Sequence, residues 1–123
     1  MEIKDIANRL VELCKVGDWD TAQKELYHTD CVSIEPEGMP DNVVKGMDAI
    51  KKKGEIFASM IEESHGGEVS EPLIADDYFS VMMGYDVTFK DRGRVKETEI
   101  CVYKVADGKI VSEEFFYVVP PMG

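Results

Sequence analysis

Apolar residues recur at three- and four-residue steps through the first half of the chain and alternate through the second. Ile3, Ile6, Ala7, Leu10, Leu13 and Cys14 share one helical face, which predicts an amphipathic helix over about residues 3–16. Gly17 stops it, and Asp18 is an N-cap for a second helix carrying Trp19, Ala22 and Leu26. Val32 and Ile34 then alternate with Ser33 and Glu35 as a short strand. Pro36, Gly38 and Pro40 break the chain into a loop. Met47, Ile50, Gly54, Phe57 and Ile61 predict a third helix over roughly residues 47–64, closed by Gly66-Gly67. His65 would sit at its carboxyl end, where an imidazolium suits the helix dipole.

Residues 68–75, 78–89, 94–105 and 109–119 are rich in Val, Ile, Tyr and Phe, and Asp/Gly-containing breaks separate them. Connections this short make antiparallel neighbours, so a curled meander is expected under the three helices. Phe79, Val81, Met83, Tyr85, Val87 and Phe89 form one face of the second segment and should meet the helices. A three-residue Asp91-Arg92-Gly93 loop would set Tyr85 opposite Glu99 and Met83 opposite Cys101. The inward set on the next strand is then Glu97, Glu99, Cys101, Tyr103 and Val105. A purely structural core would not choose two glutamates, because burying an unpaired carboxylate is costly. Either that face opens to a wet pocket, or the glutamates find partners, or this end lies at the rim. The last hairpin has two registers. A loop of Ala106-Asp107-Gly108 turns Glu113, Phe115 and Tyr117 inward; a two-residue Asp107-Gly108 loop turns Glu114 and Phe116 inward.

The chain has 123 residues, enough for one domain over 1–123 with one core. Its formal net charge of −11 argues against nucleic-acid and anionic-membrane partners. Lys51-Lys52-Lys53 is the single basic run and reads as a solvated helix face. No apolar run approaches the ~20 residues that span a bilayer, and the charged start Met1-Glu2-Ile3-Lys4-Asp5 lacks a signal-peptide core. Three cysteines without a CxxC pair argue for reduced thiols and a cytoplasmic setting. The two histidines lie far apart and no loop has calcium-ligand spacing, so we expect no metal and no cofactor.

The order helix, helix, short strand, long helix, four-strand meander resembles the nuclear transport factor 2-like superfamily, with its SnoaL-like and ketosteroid isomerase families. The resemblance runs over nearly the whole chain. It is carried by Leu13-Cys14-Lys15-Val16-Gly17-Asp18, Ile34-Glu35-Pro36-Glu37-Gly38, Lys45-Gly46-Met47-Asp48-Ala49-Ile50 and Val102 to Val111. It implies an α+β roll, three helices on a curled antiparallel sheet enclosing a cone-shaped pocket. In ketosteroid isomerases the acid before the proline at the end of the first strand is the general base, and Glu35 looks like that residue. The oxyanion donors of that family fall at Leu10 and about Cys101 and do not carry over. Tyr117 matches the aromatic near the end of the last strand, and this match favours an inward Glu113. The fold hosts isomerases, cyclases, dehydratases and simple binders, so function has to come from the site.

The candidate chemistry is proton transfer on a small, largely apolar carbonyl compound. Glu35 and Glu99 are the candidate catalytic carboxylates, since an acid in an apolar cavity has its pKa raised toward neutrality. Met83, Tyr85, Cys101, Tyr103, Glu113 and Tyr117 are the candidate ligand contacts, with Tyr85, Tyr103 or Tyr117 available to stabilise an enolate oxygen. The bland alternatives are that Glu35 caps or salt-bridges a loop, and that Trp19, Tyr27 and Phe57 are core packing. The competing class is a non-catalytic ligand binder or interaction module. An enzyme should have an inward, desolvated acid with a hydroxyl in reach; a binder would have a dry pocket, or carboxylates tied up by Lys or Arg. Ile100 and Val102, beside Lys96, Thr98 and Lys104, make the outer sheet face apolar enough for a homodimer.

Overall fold

The computed structural model describes residues 1–119; the last four residues of the expected 1–123 domain lie outside the described residues. Helix α1 (Ile3–Lys15) buries Ile6, Ala7, Leu10, Val11, Leu13 and Cys14, the face that the periodicity picks out. Gly17 (φ 72°) ends it in the left-handed conformation. The Gly17 amide donates to the Cys14 carbonyl and the Asp18 amide to that of Leu13, which satisfies the last turn. Asp18 then caps α2 (Trp19–Leu26), accepting from the Thr21 amide at 3.2 Å and its hydroxyl at 2.8 Å. Ala22 and Leu26 are buried, but Trp19 is 51% exposed rather than core.

The strands are β1 (Tyr27–Ile34), β2 (Val43–Lys45), β3 (Ile61–Val69), β4 (Leu73–Ala75), β5 (Tyr78–Phe89), β6 (Gly93–Ala106) and β7 (Lys109–Phe116), with α3 (Met47–Ser59) between β2 and β3. They form one sheet in the order β2-β1-β7-β6-β5-β3, with β4 also on β5. The sheet is mixed rather than purely antiparallel, because β1 runs parallel to β7. In this place β1 covers the backbone groups that the last strand of the meander would otherwise leave unpaired. Of the expected inward row of β5, Phe79, Val81 and Met83 are buried in one cluster with the helices and Val87 and Phe89 are buried too, while Tyr85 is half-buried. Phe79 stacks on Tyr103 with ring centroids 4.8 Å apart.

Three local expectations fail for identifiable reasons. Helix α3 stops at Ser59, and residues 61–69 join the sheet as β3, paired with β5. Gly66-Gly67 is therefore not a helix stop. Gly66 (φ 136°) sits at a register shift, and a Cβ on Gly67 would stand 2.8 Å from the Gly84 carbonyl oxygen. A bulge and a close backbone approach explain the pair. His65 consequently has no helix end to serve; its Nε2 lies 2.7 Å from Thr88 Oγ1 across the β3–β5 pair.

The β5–β6 hairpin pairs Phe89 with Gly93, so Tyr85 faces Glu97 and Met83 faces Glu99, two residues from the expected partners. A shift of two leaves the faces unchanged, and the inward set stands. The last hairpin combines both readings. Ala106 pairs with Lys109 across a two-residue turn whose Asp107 and Gly108 both have positive φ, 53° and 74°, the type I′ geometry that suits strand twist. Between Lys104/Ser112 and Val105/Ile110 the register then shifts, leaving Val111 as an extra residue. That bulge returns Glu113 to the inside, opposite Tyr103.

Candidate functional site

Polar residues gather on the concave side of the sheet. On β1 the buried face carries Cys31 and Ser33, both 0% exposed, while Val32 and Ile34 are only half-buried. Inverting the usual sorting requires partners for the polar side chains. Ser33 Oγ donates to Glu113 Oε2 at 2.7 Å, and the Tyr27 hydroxyl bonds to Glu113 Oε1. Glu113 is 5% exposed. Burial pushes its carboxyl up from the ordinary range, against the pull of the Tyr27 and Ser33 hydrogen bonds and the Lys53 cation.

Lys53 joins this buried acid to Glu35. It lies three residues after Ile50 and four before Phe57 on α3, so it shares their inward side. Its Nζ donates to Ser33 Oγ and, at 3.2 Å, to Glu35 Oε2, with the Phe115 ring centroid 5.2 Å away. The Tyr117 hydroxyl donates to Glu35 Oε1 at 2.8 Å. Pro36 ends the strand behind Glu35, whose own amide bonds to the Asn42 carbonyl at 2.7 Å. One hydrogen-bonded chain therefore runs Tyr27–Glu113–Ser33–Lys53–Glu35–Tyr117.

Glu99 stands on the facing strand with far weaker support. Its hydrogen-bond partner among the described residues is the Cys101 thiol, with Sγ 3.7 Å from Oε1. Desolvation first, then the negative charge of Glu35, pushes its pKa up to about 7. One rung further out the Tyr85 hydroxyl donates to Glu97 Oε2 at 2.8 Å. Desolvation and this bond raise the Tyr85 hydroxyl, as desolvation and Glu35 raise that of Tyr117. Phe57 closes this end, edge-on to both Tyr85 and Phe89 at 5.9 Å, yet it keeps 40% of its surface exposed. It is part of a rim rather than core.

The structure thus brings Glu35, Glu99, Glu113, Tyr85 and Tyr117 to one concave face. Met83, Cys101 and Tyr103 lie beneath them in the core, Tyr103 only 2% exposed. Burial, then the neighbouring Glu99, raises the Cys101 thiol, which is the opposite of what a nucleophile needs. Sequence reasoning missed Tyr27, Ser33 and Lys53. The signal for Lys53 was present in its spacing from Ile50 and Phe57, but the lysine run hid it. Two outer depressions, of about 250 and 450 Å³, are lined by Leu73, Tyr78 and Val102 and by residues around Met1 and Asp107. Neither includes Glu35, Glu99 or Glu113. Among the described residues no group of three His, Cys, Asp or Glu is placed to hold a metal, and no helix is long and apolar enough to cross a membrane.

A roll of this kind with acids in its concavity defines a class, and comparison with known proteins gives the family. The chain belongs to the SnoaL-like domain family, which matches residues 1–117. It is similar to a structure from Mesorhizobium loti that bears the provisional name SnoaL-like polyketide cyclase: 36% identity over 95% of this chain and 100% of that one, TM-score 0.89. A SnoaL-like polyketide cyclase, also provisionally named, from Jannaschia sp. CCS1 is 13% identical over 91% and 82% of the two chains, TM-score 0.73. A Catenulispora acidiphila protein of ketosteroid isomerase-like fold, solved with trimethylamine, is 14% identical over 93% and 85%, TM-score 0.72. The last two speak for the fold alone. A comparison with curated protein sequences finds no match.

Proposed function

We propose that this SnoaL-like protein is a cofactor-free proton-transfer enzyme of the isomerase, cyclase or dehydratase kind, acting on a small, largely apolar carbonyl compound held in the cone. The observation that carries this reading is Glu99: a desolvated acid with a pKa of about 7 whose hydrogen-bond partner among the described residues is a thiol. Such a group is divided between base and acid near neutral pH. Its carboxylate takes a proton from the carbon next to the carbonyl, and the C–H electron pair becomes the enolate. The protonated Glu99 then returns that proton to a second carbon or to a departing hydroxyl. Glu35 serves as the fixed negative charge that keeps the Glu99 proton available. Met83, Cys101 and Tyr103 form the floor of the ligand site; Tyr85, Glu113 and Tyr117 form its walls. The polyketide-cyclase part of the Mesorhizobium protein's name agrees with carbonyl chemistry, although the same name also reads carbohydrate phosphatase.

A substrate-independent assay tests it: deuterium uptake next to the carbonyl of 2-tetralone and ethyl acetoacetate in D₂O, followed by NMR. The wild type should accelerate exchange, with an acidic limb at about pH 7. Glu99→Gln should lose about 10²–10⁴-fold. Exchange no faster than buffer, or a fully active Glu99→Gln, sinks the enzyme reading. The second reading is a non-catalytic binder, favoured by the Lys53–Glu35 ion pair, which ties up one acid.

We also infer a homodimer through the outer sheet face. Ile100 is 53% exposed, Phe116, its partner across β6–β7, 49%, and Tyr78 48%. Exposed large apolar side chains on one sheet face favour association. Sedimentation at micromolar concentration should give a dimer that Ile100→Lys dissociates; a wild-type monomer ends the idea. The three free, buried cysteines are compatible with a cytoplasmic setting.

A further inference from the structure

We propose that Lys53 is a catalytic residue, the donor that stabilises the substrate oxygen as it becomes an oxyanion. The inference rests on the proton-transfer reading of the same cone and names the group that reading leaves open.

The argument is a count of donors. A tyrosine or serine hydroxyl has one proton to give. That of Tyr85 goes to Glu97, that of Tyr117 to Glu35, and that of Ser33 to Glu113. The Tyr27 hydroxyl is engaged with Glu113. Tyr103 lies 2% exposed, stacked on Phe79 beneath the site. Among the described residues, each of these hydroxyls is spent. An ammonium has three protons. Ser33 Oγ and Glu35 Oε2 take two from Lys53. The third has no oxygen partner among the described residues; Phe115 flanks the nitrogen at 5.2 Å. A carbonyl oxygen is a stronger acceptor than a ring face and would claim this proton.

Charge and position agree with the count. Lys53 is within electrostatic reach of Glu99, whose proton it makes easier to lose. Base and oxyanion donor are therefore close enough to act on one ligand, as an enolisation needs. Glu35 neutralises the ammonium in the resting site, and Ser33 fixes its direction. Both bonds are in place before substrate arrives, so little reorganisation remains for the reaction. In the step itself the C–H pair moves to the carbon–carbon bond. The carbonyl π pair moves to oxygen, and the third Lys53 N–H strengthens its hydrogen bond to that oxygen without transferring its proton.

The test uses a stable oxyanion, 4-nitrophenol, whose ionised form is coloured. Near pH 6 the wild type should bind the phenolate in preference to the neutral phenol. Lys53→Gln removes the charge, and its shorter side chain gives up the bond to Glu35; it should lose about 100-fold in phenolate affinity, in line with one oxyanion-hole donor. Lys53→Arg, which keeps the charge, should retain most of the preference. Equal phenolate binding by wild type and Lys53→Gln overturns the proposal, as does a wild type that binds only the neutral phenol. Deuterium exchange separates this failure from that of the parent reading. Exchange with no Lys53-dependent phenolate binding rejects Lys53 alone. Phenolate binding without exchange rejects the enzyme and leaves Lys53 as an anion-binding group, not a catalytic one.

Discussion

Glu113 and Glu99 are both glutamates on inward rows of adjacent strands, and the site treats them in opposite ways. Glu113 is nearly sealed from solvent and has a partner on each oxygen. Glu99 is less deeply placed and has one weak thiol contact. Burial raises both acids. What separates them is partnership: a buried carboxylate bonded on both oxygens is held in place, whereas one with a spare oxygen has both a proton and a direction to offer a ligand.

The comparison breaks most sharply at Glu113. Glu113→Ala strips the Tyr27 and Ser33 hydroxyls of their acceptor and opens a cavity where the network passes. We expect a loss of about 2–4 kcal/mol by chemical denaturation, with Glu113→Gln much milder. An alanine variant as stable as the wild type would mean that the network contributes nothing to the fold.

Glu99 should respond in the reverse sense. Its folded-state pKa of about 7 exceeds the ordinary value of 4.5, so the folded protein holds this proton more tightly than the unfolded chain. Between those two values stability falls as pH rises, and above about 7 the whole penalty is present. Glu99→Gln removes the group that ionises. It should therefore be more stable than the wild type at pH 8, by roughly 1–3 kcal/mol, with the gain fading toward pH 4. Denaturant midpoints at the two pH values measure it. A glutamine variant destabilised equally at both would show that Glu99 is structural.

Sequence patterns carried the architecture further than the site. Period alone sorted the inward rows of α1 and β5, because those rows bury apolar side chains and nothing competes with burial. It failed on β1, where the buried side is Cys31 and Ser33 and the apolar pair Val32 and Ile34 is the outer one. Hydrophobic sorting cannot anticipate polar residues that go inside to meet Glu113 and Lys53, since those partners come from 80 and 20 residues away. Residues 61–67 failed for a similar reason. Pairing with β5, not local preference, makes them strand. The last hairpin was undecidable from alternation because a two-residue turn and a bulge combine, and a bulge shifts the register without changing the composition.

Tyr117 offers the smallest and most discriminating change. Its hydroxyl gives Glu35 one of two hydrogen bonds, and Lys53 supplies the other. Tyr117→Phe should cost about 0.5–1.5 kcal/mol of stability, the worth of one hydrogen bond. It should slow deuterium exchange far less than the loss of Lys53 does, because the Lys53–Glu35 ion pair stays in place. Lys53→Gln also removes one partner of Glu35, yet it takes the oxyanion donor with it, so exchange should fall by about 10²-fold. If the two variants lost the same activity, the role of Lys53 would reduce to holding Glu35, and the contrast between partnered and free groups would have to be redrawn around Glu35 itself.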